Sequence, residues 1–459
     1  MSQSINQLAR FVAQTTFSDL PEALVERAKR HILDTFGATL AGSNSPIALA
    51  VQQTVLAEGC APAARVWGRS LATSPRNAAW LNGIAAHMYE LDDTGGCDHS
   101  GAVVLPAVMA VLPLCPADVT GRELITAVVL GYEIGRRVLE ACGGYAPHNE
   151  AGWHSTSTCG VFGAAAAVAS LLKLNQNQTV QALGIAASFS GGLWGFIHDG
   201  SQSKKLHAGR AAEGGVLAAM LARQGITGAS QTFEDLWGGF LKTLAPSSRQ
   251  PQALTAELGQ VWKLNRCSIK PYASCRGTHS AVDAVGELMA AHHCSAAEIA
   301  RLHVYLNPFL LEMCGNSDLE SLAAAQMSLP YAMAARVLYG HAGLAAYDEE
   351  KRGSTEMAAM LERIVLHVDA SQNSNEEPIV ELETLRGEHG RQQVTVPLGS
   401  PQNPLSDEAL LLKFQQLALR VLPAQQTAAL EAYCLTLEQQ TDMQELLNLL
   451  TVHKKNPRS

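Results

Sequence analysis

The stretch "HMYELDDTGGCDHSGAVVLPA", His87 to Ala107, gathers Glu90, Asp92, Asp93, Asp98 and two histidines, His87 and His99, in one short window of an otherwise apolar chain. Carboxylates beside imidazoles can move protons, ligate a cation, or solvate the end of a helix. This window alone leaves all three open and favours the solvated helix end. A metal is the weakest of the three, because the carboxylates and His99 lack the spacing of a dedicated ligand set.

Four further stretches concentrate polar groups among small residues. "GWHSTSTCG" sets His154 just before a helix, near free N–H groups and the positive end of the helix dipole, which suits an anionic ligand. "HDGSQSKKLHAGRAA" puts Lys204 and His207 three apart on one helix face. "KPYASCRGTH" joins Lys270, Tyr272, Arg276 and His279, and "SLPYA" adds Tyr331. Each has a plain reading. His154 alone is a cap or core histidine, Lys204 beside Lys205 is surface charge, and Arg276 and His279 are polar groups at a helix start. Their joint occurrence, in a chain with only 16% charged residues, argues for chemistry instead. The set offers cations for carboxylates (Lys204, Lys270, Arg276) and groups for proton transfer (His99, His154, His279, Tyr331). Removing a proton next to a carboxylate needs both. No G-x-G-x-x-G follows a strand and there is no P-loop or G-x-S-x-G, so no cofactor is expected.

These residues need a scaffold. Apolar positions recur at helical spacing in "VERAKRHILDTFGATLAG", in "SPRNAAWLNGIAAHMYEL" behind a Ser74–Pro75 cap, in "GRELITAVVLGYEIGRRVLEAC" and in "TSTCGVFGAAAAVASLLKLN", whose Ser/Thr cluster is placed to cap its first turn. Residues 1–258 therefore read as all-helical. The pattern then alternates in "VWKLNRCSIK", "RLHVYLNP" and "RIVLHVDA", and "IVELETLRGEHGRQQVTV" reads as a hairpin with a polar loop at Arg386 to Gln392. The predicted architecture is mainly α. A large all-helical domain takes residues 1–261 and 399–459, and a smaller inserted α+β domain with an antiparallel sheet takes 262–398.

The bulk numbers agree with two domains: 459 residues, 47% hydrophobic but 5% aromatic, hence an aliphatic core rich in Ala and Gly. A net charge of -9 without a basic patch speaks against nucleic acid. No apolar run is long enough for a membrane span, and "MSQSINQLARFV" lacks the makeup of a signal peptide, so a cytoplasmic protein is expected. The ten scattered cysteines, with no C-x-x-C pair, read as reduced packing residues. "KKNPRS" at 454–459 reads as an unpacked end.

Taken together, "HMYELDDT…HSGAVVLPA", "GYEIGRRV", "GWHSTSTCGVFGAAAAVASLLKL", "SKKLHAGRAAEGGVLAAMLARQGITG", "IKPYASCRGTHSAVDA" and "SLPYAMA" resemble the MmgE/PrpD family. The resemblance implies the two-domain fold above, a homodimer, a site between the domains, a small polycarboxylate substrate and no need for a metal. It carries the catalytic positions onto His99, His154, Lys204, Tyr331 and Asp93. It carries further motif positions onto Glu90, Asp92, Thr94, His207, Lys270 and His279. Glu90, Thr94, His207, Lys270 and His279 are expected to bind substrate together with Arg276, a carboxylate holder by its own chemistry, and Glu90 and Asp93 to orient a histidine or Lys204. A lysine acting as base there needs a pKa lowered by burial. The likeness is strongest to the family's iminodisuccinate epimerase. It implies a cofactor-independent isomerase that takes a proton α to a carboxylate of an iminodisuccinate-like polycarboxylate. The alternative is a lyase, dehydrating a 2-methylcitrate-like tricarboxylate or decarboxylating cis-aconitate. The chain departs from the family at Glu90, where Asp is usual, at Ser100 and Ser155, where Pro is usual, and in the short spacing from Thr94 to His99.

Overall fold

The computed structural model describes residues 4–452 except Ala117 and Asp318, so "KKNPRS" lies outside the described residues. The first core is built from long helices: α1 (Glu22–Gly42), α2 (Pro75–Ala86), α3 (Ser100–Ala110), α4 (Gly121–Ala141), α5 (Gly160–Leu171) and α6 (Ser203–Arg223). Local sequence sets their ends. Ser74 accepts a hydrogen bond from the Asn77 amide with Pro75 in the first turn, and Thr120 and Glu123 close a capping box on α4. Every residue of α3 is buried, so it runs through the middle of the core as its unbroken apolar sequence requires.

Small residues let the helices meet backbone to backbone. A Cβ on Gly83 of α2 would lie 2.6 Å from the Gly209 Cα of α6, and one on Gly209 would lie 2.3 Å from the Trp80 carbonyl oxygen. This crossing fixes the end of α2, which leads into Glu90, against the start of α6, which carries Lys204. The chain returns late in sequence through α9 (Asp407–Ala418), whose Phe414 packs at Gly37 of α1. Its Lys413 donates to Asp34 Oδ1 at 2.6 Å and to the Leu91 carbonyl at 2.7 Å.

A small antiparallel hairpin, β1 (Ala64–Val66) and β2 (Leu71–Thr73), interrupts the segment that reads as wholly helical. Asn82 of α2 holds it, accepting from the Trp67 amide at 2.9 Å. The Ser/Thr cluster at 155–158 does not cap the helix it begins: His154 is the N-cap residue, without a side-chain cap.

The second core packs α7 (His279–Ala291) and α8 (Leu329–Tyr339) on a four-stranded sheet of order β4-β3-β5-β6, with β3 (Ile299–Leu306), β4 (Ile364–Val368), β5 (Ile379–Thr384) and β6 (His389–Gln392). The alternating stretches become β3, β4 and the hairpin β5–β6, with two differences. β3 and β4 run parallel, because the helical segment between them carries the chain back to the same sheet end, so the sheet is mixed. The hairpin loop is shorter than the sequence suggests, since 389–392 pair as β6. "VWKLNRCSIK" is not a strand. Lys263–Arg266 is a 3₁₀ turn, and Trp262 and Leu264 are buried in the helical core. Only Ser268 pairs, in a bridge with Thr94, while the Ile269 amide donates to the Gly399 carbonyl at 3.0 Å. The chain thus enters and leaves the second core side by side, and this stem sets Lys270.

Gly209→Ala is expected to lower the midpoint of thermal unfolding. The added methyl meets the Trp80 backbone and cannot be absorbed by a rotamer change, an overpacking cost of about 1–3 kcal/mol. Gly191→Ala, where a methyl meets open space, is the control and should leave the melt within about 0.5 kcal/mol of the parent. A melt unchanged by Gly209→Ala would show that the crossing yields.

Candidate active site

Directly after α2 the chain turns sharply. Glu90 has φ +54°, a left-handed conformation held only where surroundings enforce it. The enforcing contacts are three lysines. Lys204 and Lys205 Nζ each lie 2.8 Å from Glu90 Oε1, and Lys270 Nζ lies 3.3 Å from Oε2. All four side chains are buried. Burial opposes the Glu90 charge, but the lysines overcome it and hold the carboxyl well below its usual range. Burial likewise opposes the charge on Lys204, yet Glu90 outweighs it and the ammonium pKa rises. Lys204 is therefore a fixed cation, in contrast to the lowered pKa expected of a lysine base. Lys205 goes the other way, its pKa lowered by burial.

The second assembly is a chain of imidazoles and carboxylates. His99 Nδ1 lies 2.9 Å from Asp92 Oδ2 and 3.0 Å from the Asp93 carbonyl oxygen, and its Nε2 lies 3.4 Å from Asp98 Oδ2. Asp98, at φ +113°, also accepts from Thr94 Oγ1 at 2.8 Å. Asp92 is shared with His87, 3.1 Å away. Burial disfavours a charged His99, but Asp98 and Asp92 prevail and its pKa is raised. His87, with burial dominant, is lowered to about 4. Burial and the facing His207 and Lys204 also keep His154 neutral, well below its ordinary value, and burial lowers His207 to about 4. Within this cluster, His99 is the imidazole whose surroundings favour the cation.

A cleft of about 290 Å³ opens onto both assemblies, lined among others by Glu90, Thr94, Asp98, His99 and Lys204 from the helical side. Asn307, Phe309, Leu310, Met313 and Glu377 line it from the other side. Arg276 is on its wall, paired with Glu377 at 2.8 Å. The remaining expected residues stand back. His154 shares a hydrogen bond of 2.8 Å with His207 Nδ1 and packs on Trp194 and Phe196, with its Nε2 3.8 Å from Asp98. His279 lies 3.3 Å from the Ser274 carbonyl and edge-on to Tyr272, and burial keeps it neutral. Lys270 reaches the cleft only through Glu90. Tyr331 is in the second core: its hydroxyl donates to the Ala346 carbonyl at 2.6 Å, and it packs on Tyr347. Asp93 also faces inward, accepting from the Gly101 amide at 2.8 Å and lying 2.7 Å from His31 Nδ1, beside Tyr132. The carboxylate that meets His99 Nδ1 is that of Asp92; Asp93 offers it only a backbone carbonyl.

Sequence reading missed Lys205, Cys275, Arg136 and Arg266. Cys275 lines the cleft, and its contact with the Cys314 thiol brings its own pKa down to about 6 against the effect of burial. Two donor groups, His87–Asp92–His99 and Asp98–His99–His154, keep their ligand atoms within 4.8 Å, a spacing that a divalent cation could span. In the structure these groups partner one another, Asp92 being shared between ring nitrogens of His87 and His99. No helix among the described residues is long and apolar enough to cross a membrane.

Comparison with known proteins matches residues 6–252 to the MmgE/PrpD N-terminal domain and 272–439 to the MmgE/PrpD C-terminal domain. The chain is 28% identical over 469 residues to the cis-aconitate decarboxylase-like protein oryM of Aspergillus oryzae, covering 97% of this chain and 96% of the relative. It is 28% identical over 476 residues to the cis-aconitate decarboxylase of Aspergillus terreus, covering 98% and 96%. It is 30% identical over 275 residues to the human cis-aconitate decarboxylase, covering 59% and 56%. Decarboxylases are lyases, so these relatives overturn the expectation of an isomerase as the main class. The two domain matches span most of the sequence, and the chain belongs to the MmgE/PrpD family.

Proposed function

We propose that this protein is a lyase that decarboxylates a small unsaturated tricarboxylate of the cis-aconitate kind, with His99 as the proton donor. The observation that carries this reading is His99 itself: an imidazole held between Asp92 and Asp98 with a raised pKa, lining the same cleft as Glu90 and Lys204. The decarboxylase activity for which the Aspergillus relatives are named supports it.

Loss of carbon dioxide from such a substrate needs a proton and somewhere to keep the other carboxylates. His99 delivers the proton to the alkene carbon. The bond from the neighbouring methylene to its carboxylate breaks, and that electron pair becomes the new carbon–carbon double bond. A trianion and one proton thus give a dianion and carbon dioxide, and water reprotonates His99. Glu90 carries one negative charge against three lysines, and the surplus positive charge holds the carboxylates that stay. Trp194, Phe309, Leu310 and Met313 give the departing group an apolar wall, which disfavours a charged carboxylate relative to neutral carbon dioxide. The neutral His154–His207 pair backs Asp98 and keeps it facing His99.

Incubating the protein with cis-aconitate in D2O and following proton NMR should show carbon dioxide release and one deuterium in the new methylene group. His99→Gln should lower kcat by about 10²–10⁴-fold. Absence of carbon dioxide, with a new alkene formed from a 2-methylcitrate-like hydroxy acid, would replace the reading with dehydration, in which the same acid serves a leaving hydroxide.

The rate should also depend on pH in a signed way. The donor must be protonated, so kcat falls as pH rises through the raised His99 pKa, above the ordinary 6.5. Asp98→Asn removes an anion that favours the cation, so this basic limb should move to lower pH. A limb that stays in place in Asp98→Asn would exclude His99 as its source.

A further inference from the structure

At the far end of the Thr94–His99 loop lies a second carboxylate surrounded by cations. Glu140 of α4 meets Arg136 Nε at 2.9 Å, Lys263 Nζ at 2.7 Å and Arg266 Nη1 at 3.2 Å. This repeats the charge balance of the Glu90 cluster, one anion against three cations. Arg136 and Arg266 both line the cleft, with Gly95 and Ser268. Arg136 Nη1 also donates to the Gly96 carbonyl at 3.4 Å. These contacts leave Nη2 of Arg136 and Nε and Nη2 of Arg266 without a protein acceptor among the described residues.

The loop is built to bring these arginines in. Gly95 has φ +96°, and a Cβ on it would lie 2.9 Å from the Arg266 carbonyl oxygen. Gly96 leaves room for Ser100 Oγ, 2.1 Å from where its Cβ would be. The paired glycines therefore let the 263–268 segment lie directly on the loop. This is also the place where the spacing from Thr94 to His99 is short. Guanidinium groups suit carboxylates because two parallel N–H donors match the two oxygens.

We propose that Arg136 and Arg266, gathered by Glu140 at the Gly95–Gly96 turn, form an anion subsite for the substrate carboxylate remote from Lys204, and so select tricarboxylates over dicarboxylates. This rests on the polycarboxylate reading above. A substrate with anionic groups at both ends bridges the two clusters, with its reacting carbons beside His99.

The test is calorimetric binding of two unreactive probes to the full protein: propane-1,2,3-tricarboxylate and methylsuccinate, which lacks one terminal carboxylate. The parent should bind the tricarboxylate about tenfold or more tighter, as expected of one additional charge-assisted pair. Arg136→Met with Arg266→Met should bring the two affinities together. Arg266→Met alone, at a side chain 49% exposed and so safe for folding, should narrow the ratio by itself. In turnover the same variants should raise KM for the tricarboxylate and leave kcat within about threefold, the mark of lost uniform binding. A ratio unmoved by either variant overturns the subsite even if carbon dioxide is formed. A ratio that collapses in a protein that forms no carbon dioxide supports the subsite and overturns the reaction.

Discussion

Everything at this site depends on one buried carboxylate. Glu90 holds together Lys204 and Lys205 from α6 and Lys270 from the stem of the second core, three cations that could not otherwise share a dry space. Taking charges out of water is costly, and removing one partner from such a cluster typically costs about 3–5 kcal/mol. The cluster therefore locks three distant stretches into one geometry. Among its direct ion pairs it sets three ammonium groups against one carboxylate. In the proposed reaction a polyanionic substrate faces the cluster through Lys204, which lines the cleft. The three ion pairs over-determine the position of Glu90, and it is kept in a left-handed backbone conformation.

The proton-holding half follows a complementary logic. The cationic form of one imidazole is favoured because two carboxylates flank it, while its neighbours are kept neutral by burial and by one another. His87 and His99 are 4.2 Å apart between ring centres and share Asp92, yet they are shifted in opposite directions. Position relative to the carboxylates, more than residue type, divides the roles.

The helices of the first core were legible because their apolar spacing, Ser and Thr caps and small-residue content are local properties. So were β3, β4 and the β5–β6 pairing. What was not legible depends on contacts distant in sequence. The 261–270 segment alternates like a strand, but Trp262 and Leu264 find a better place in the helical core. Strand direction in β3–β4 depends on the path of the chain between them. Among site residues, Glu90, Thr94, His99, Lys204 and Arg276 come together at the cleft as their motifs suggest. Tyr331 and Asp93 carry equally suggestive chemistry but are turned into the cores, and one sequence cannot say which way a side chain turns. Arg136 sits in "GYEIGRRV" with nothing local to mark it, because its surroundings arise only where Glu140 meets residues 263–266. Lys205 was hidden by its neighbour: adjacent helical residues normally face apart, yet at the first turn of α6 both reach back to one carboxylate.

The contact of α2 with α6 at Gly83 and Gly209 has a consequence for how such an enzyme can change over generations. Most helix pairs are separated by a layer of side chains, and repacking that layer lets the helices drift. Here backbone rests on backbone, so there is nothing to repack. The backbone that carries Glu90 and Lys204 is therefore held in place by the crossing itself. On the opposite wall, Phe309, Leu310 and Met313 can be exchanged for other apolar shapes without moving that backbone. A frame of this kind leaves its apolar wall free to take new shapes while the backbone behind Glu90 and Lys204 stays where it is.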